Sequence, residues 1–170
     1  MPRTSAPLTA DATPAGRRIG GALLLGAGAL AAWTCWLAST LPPSGLRQAW
    51  STTWTGLGTW QLTWVGVDAL EVLGLVVTGT ALRRGHWLAT VGALVSVPLF
   101  VLDGWFDVMT SASRPELWQA TAMAVLVELP TAAVLAWVAW RGLRALRPPT
   151  EGGSPPRSGS PADDHTAVRT

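Results

Sequence analysis

Trp64-Val65-Gly66-Val67-Asp68-Ala69-Leu70-Glu71 and Asp103-Gly104-Trp105-Phe106-Asp107-Val108-Met109-Thr110 lie in two long apolar runs, and each places two acids where lipid would be. A third run adds Glu128-Leu129-Pro130. Runs of this length predict membrane-spanning helices, because about 20 apolar residues cross a hydrocarbon core of about 30 Å. A carboxylate at that depth is costly and by default marks a functional site. These stretches therefore set both the fold class and the candidate site.

Composition agrees. The chain of 170 residues is 49% apolar and only 13% charged, which describes one membrane unit rather than several soluble domains. All twelve basic residues are arginine. They fall in short clusters beside the apolar runs instead of one extended patch, which excludes a nucleic-acid surface. The single cysteine, Cys35, rules out a disulfide within the chain.

The expected fold is an all-α, polytopic four-helix membrane bundle. Residues 1–18 read as a disordered cytoplasmic arm and residues 148–170, rich in Pro, Gly and Ser, as a disordered cytoplasmic tail. Between them, 19–147 forms the membrane domain, with spans near 19–39, 61–82, 87–110 and 117–140. In the first, Arg17-Arg18 and Ala29-Leu30-Ala31 resemble an export signal. The apolar run continues to Leu37, which favours an uncleaved span. Its Ala22/Gly26 and Gly28/Ala32 pairs have the small-xxx-small spacing that lets helices approach. Between spans one and two, Leu46, Trp50, Trp54 and Leu57 recur at helical spacing and predict a short interfacial helix. Ser111 to Glu116 reads as a tight polar turn, and Pro98 and Pro130 as kinks in spans three and four.

Arginine placement orients the bundle. Arg3, Arg17 and Arg18 precede span one, Arg83 and Arg84 follow span two, and Arg141, Arg144 and Arg147 follow span four. The other two connections hold one each, Arg47 and Arg114. Positive residues mark the cytoplasmic side, so both termini are expected inside, in the plasma membrane.

This topology converts the acids into a constellation. At 1.5 Å per residue, Asp107 lies about 5 Å below the outer surface, Asp68 and Asp103 about 10 Å, and Glu71 and Glu128 about 15 Å. Asp68 and Glu71 share a helix face, as do Asp103 and Asp107. Three tiers result, with Asp107 at the mouth, Asp68 beside Asp103 below it, and Glu71 beside Glu128 deepest. No arginine falls at that depth. The charges must be met by protons, by shared protons, by a bound cation or by a wet cavity. Each central acid opposes insertion by about 3 kcal/mol, nearly cancelling the Leu and Val of span two, so its acidic face must be covered by neighbouring helices. Trp64, Trp105 and Phe106 stand at the same level, either as an aromatic belt or as the wall of a pocket for an organic cation. His86 is expected at the cytoplasmic interface.

The pattern Trp64-x-Gly66-x-Asp68, Asp103-x-Trp105-Phe106-Asp107-x-x-Thr110 and Glu128-x-Pro130 resembles a group of small four-span integral membrane proteins of high-GC Gram-positive bacteria. The resemblance spans roughly residues 60–135. It implies topology and site location, and no activity.

Three functions remain open on these residues. The foremost is a transport or ion-binding protein whose outward-facing acids take protons, metal ions or an organic cation. The second is an accessory protein whose acids pair with a partner subunit, in a homo- or hetero-oligomer, or join helices by hydrogen bonds. The third is a metal-dependent lipid-modifying enzyme, disfavoured because only Arg47 and Arg114 share the acidic side, whereas a diphosphate needs basic partners. No Cys/His cluster, phosphate-cradling glycine loop or nucleophile–His pair points to a cofactor or catalytic residue.

Overall fold

The computed structural model describes residues 13–40 and 59–145, with side chains from residue 62 onward in the second stretch. The expected interfacial helix and the tail lie outside these residues. Among the described residues the chain is helical, with α1 over Pro14–Thr40, α2 over Thr59–Arg84 and α3 over Leu88–Thr110. The fourth span is composite: α4 over Arg114–Met123, a π-helical segment over Ala124–Glu128, and α5 over Leu129–Ala145. Four helices are thus long and apolar enough to cross a membrane. α1 begins at Pro14, so residues 14–18 of the expected arm are helical.

Local chemistry explains the ends. α2 stops at Arg84 because Gly85 takes a left-handed conformation at φ 66°. Its N–H donates to the Leu82 carbonyl at 3.3 Å, and the His86 N–H donates to Ala81 at 2.9 Å, a Schellman pair that satisfies two terminal carbonyls. His86 then receives the Leu88 N–H on Nδ1 at 3.2 Å and so starts α3.

The expected turn of residues 111–116 is shorter. Ser113-Arg114-Pro115-Glu116 is a capping box: the Glu116 N–H donates to Ser113 Oγ, and Glu116 Oε2 accepts from the Ala112 N–H at 2.9 Å. With a proline in the first turn, α4 starts at Arg114 and the turn keeps only Ser111 to Ser113.

The helices form a row. α1 packs on α2, α2 on α3, and α3 on the fourth span, whereas no Cα atoms of α1 and the fourth span come within 8 Å among the described residues. α1 and α2 come close at Gly20 and Gly79: a Cβ on Gly79 would stand 2.8 Å from the Gly20 carbonyl oxygen. The expected pairs Ala22/Gly26 and Gly28/Ala32 do not make this contact; all four residues are exposed. Spacing alone identifies pairs on one face without saying which face meets a neighbour, and Gly20 lies elsewhere on the wheel. α2 and α3 interlock by small side chains, Ser96 over Gly74 and Thr78 over Gly92.

These contacts bring the N-terminus of α1 level with the C-terminus of α2, where Arg83 lies beside Gly20. Thr90 against Gly142 brings the C-terminus of α5 to the start of α3. Arg17, Arg18, Arg83, Arg84, Arg141 and Arg144 therefore gather at one end. There Arg141 and Arg144 cover the rings of Trp137 and Trp140 at 5.0 and 3.8 Å. The core nearest that end is aliphatic, built on Leu23, Leu75, Ala93, Leu135 and Val138. Outward faces carry exposed Leu25, Leu73, Leu94, Val95 and Leu126, an apolar surface that suits lipid.

Candidate functional site

The acids converge in the half of the bundle away from those six arginines. Helical periodicity explains why. Asp68, Glu71, Leu75 and Thr78 occupy one face of α2 at steps of three and four, and that face is buried. Ser96, Phe100 and Asp103 repeat the pattern on α3. Asp68, Glu71, Asp103 and Glu128 are only 4, 1, 7 and 5% exposed, and Asp107 is half-buried.

Two groups of carboxylates form, each with one oxygen per residue within 4.8 Å of the others: Asp68 with Glu71 and Asp103, and Asp103 with Asp107 and Glu128. Asp103 belongs to both. Such spacing is about twice a Ca²⁺–oxygen distance of about 2.3–2.6 Å, so either group spans a cation of that size. Like charges this close repel strongly, and no arginine lines the site among the described residues.

Hydrogen bonding separates the members. The Thr34 hydroxyl on α1 shares its one proton between Asp68 Oδ2 at 3.0 Å and the Leu30 carbonyl of its own helix at 2.8 Å. Glu71 Oε1, Asp103 Oδ1 and Glu128 Oε2 are buried without a partner among the described residues. A buried polar atom left unpaired costs about 1–3 kcal/mol, more when charged. All three residues line one cavity of about 920 Å³, together with Asp68 and Asp107.

Glu128 differs from its expected position. It sits against Gly104 and joins Asp103 and Asp107 instead of standing beside Glu71 in the deepest tier. The depth count assumed that spans three and four start from the same plane. Glu128 is fourteen residues into its span and Gly104 six from the end of α3. At 1.5 Å per residue, the first turns of α4 therefore project roughly 10 Å beyond α3. Consistently, α4 has no buried residue.

The expected kink at Pro130 also takes a specific form. Proline has no N–H and crowds the carbonyl four residues back. The helix accommodates this with a π turn over Ala124–Glu128, in which the Leu129 N–H donates to the Ala124 carbonyl five residues earlier. α3, by contrast, continues unbroken through Pro98.

Of the three aromatic wall candidates, Trp64 is buried and lines the cavity. Trp105 and Phe106 do not; they are 60 and 50% exposed on the outside of α3. Two steps of about 100° set Trp105 nearly opposite Asp103. The aromatic wall comes instead from Trp33 and Trp36, whose rings are 4.8 Å apart on α1, and from Phe100. Sequence reasoning missed Thr34, although a hydroxyl inside an apolar run was a visible signal. It also missed Phe100, which lies three residues before Asp103 on the same face.

Compared with known proteins, the chain matches no family model, no curated sequence and no solved structure.

Proposed function

We propose that this chain is a multi-pass protein of the cell membrane, with both termini cytoplasmic, whose outward-facing carboxylate cluster binds or passes cations or protons. One observation carries the reading: Glu71, Asp103 and Glu128 line a common cavity, and each has a buried carboxylate oxygen without a partner among the described residues. Helix-joining hydrogen bonds would leave these oxygens paired, as Thr34 does for Asp68. Buried carboxylates without a partner, on residues that line a cavity, call for a positive ligand or a proton.

Orientation is tested by reporters. Fusions after Ala49 or Ser113 are expected to read as external, and those after Arg84 or at Thr170 as cytoplasmic, from the arginine bias. An external signal at Thr170 refutes this orientation.

Binding is tested on the full-length protein in zwitterionic nanodiscs, titrated with Ca²⁺, Mn²⁺ and tetramethylammonium in weak buffer. Saturable heat with release of protons is expected for at least one probe, because ligating carboxylates must be ionised. Binding weakens as pH falls, since protons compete for the same oxygens. Glu128→Gln is expected to weaken it about tenfold, or about 1.4 kcal/mol. The absence of both heat and proton release with every probe would overturn the cation reading.

A further inference from the structure

The cavity above the acids is much larger than a proton or a metal ion requires. Its volume of about 920 Å³ falls within the about 300–1,000 Å³ usual for small-molecule sites. Its chemistry is divided by element. Charge comes from α2, α3 and Glu128, whereas α1 supplies Leu23, Leu30, Trp33 and Leu37, and the fourth span adds Met123 and Val127. Glu116, also at the wall, is held by its capping box. α1 and the fourth span face each other across the cavity, with no Cα atoms within 8 Å of one another among the described residues. The apolar side of the cavity is thus walled by two helices whose outer surfaces suit lipid.

We infer that the site takes an amphiphilic organic cation, its positive head among Glu71, Asp103 and Glu128 and its hydrocarbon tail along the α1 wall toward the gap between α1 and the fourth span. The inference rests on the cation reading above and adds the ligand's class and its route. Among the described residues an anionic amphiphile finds no arginine along the cavity, and a neutral one leaves three buried carboxylate oxygens unmet. A bare metal ion would satisfy the acids but leave the apolar volume unfilled. Trp33 and Trp64 add π faces that favour an alkylammonium head over a strongly hydrated ion.

Two probes that share a head and differ in tail decide the matter. Tetramethylammonium and dodecyltrimethylammonium compete on the full-length protein in phosphatidylcholine nanodiscs, with empty nanodiscs correcting for partitioning. The long-chain cation is expected to bind at least about tenfold more tightly, and dodecanol, with the tail alone, is expected not to compete. Ala29→Trp, which narrows the apolar side, should remove most of the long-chain advantage; Gly26→Leu serves the same purpose if that variant does not accumulate. Equal affinity for the two cations overturns the inference while leaving the cation site standing. Competition by dodecanol as strong as by the cation also overturns it. Absence of binding by either cation overturns the inference and the cation reading together.

Discussion

Gly79→Leu is expected to force apart the first two spans, with the largest loss of stability of any single substitution considered. A Cβ at this position would stand 2.8 Å from the Gly20 carbonyl oxygen and 3.0 Å from Leu24 Cγ. The first obstacle is backbone, which cannot rotate away as a side chain does. Overpacking of this kind costs about 1–3 kcal/mol, and a rigid obstacle belongs at the upper end. At about 2–4 °C per kcal/mol, the midpoint of thermal unfolding in nanodiscs should fall by on the order of 10 °C. Gly21→Leu is the matched control, because nothing lies within 4 Å of its Cβ position. It should leave the midpoint nearly unchanged. Equal midpoints for the two variants would show that α1 and α2 do not approach at Gly79. Separation of the helices would also carry Thr34 away from Asp68, so the stability defect should bring a binding defect with it.

The largest effect on binding is expected from Asp103→Asn. Asp103 alone belongs to both carboxylate groups, so its loss leaves neither complete. Charges about 4 Å apart at an effective dielectric near 20 interact by about 4 kcal/mol, which sets an upper scale of about a thousandfold. A loss of cation affinity of about a hundredfold or more is expected by calorimetry, with helicity retained because asparagine preserves the volume. Glu128→Gln removes a member of one group only and should cost less. If Asp103→Asn binds as the parent does, the two groups are not a shared ligand set. If Glu128→Gln costs more than Asp103→Asn, the outer group is the binding unit by itself.

Much of the fold was legible because lipid constrains sequence severely. The lengths of the apolar runs gave four spans to within a few residues at most ends, and the burial of four acids followed from the cost of showing them to hydrocarbon. Faces were harder. Periodicity puts Asp68 with Glu71 and Asp103 with Asp107, and the same periodicity sets Trp105 outward despite its nearness to both acids in sequence. Depth failed at Glu128 because it depends on where a neighbouring helix begins, which is set by the cap at Ser113 rather than by the length of the apolar run. The Gly20–Gly79 contact was not legible at all. In a chain with eighteen glycines, spacing nominates many pairs, and only packing selects one.

The π turn in the fourth span sets the phase of two helices that would otherwise disagree. Ala120, Ala124, Glu128 and Ala132 are spaced by four, and the last three are buried. In a regular helix each four-residue step overshoots a full turn by about 40°, so three steps rotate such a row by about 120°, away from any single neighbour. The wider turn at Ala124–Glu128 takes back part of that drift. It acts as a vernier between α4, which fronts the cavity, and α5, which packs the aliphatic core. The azimuth of Glu128 is thereby set by a surplus of backbone rather than by the residues around it.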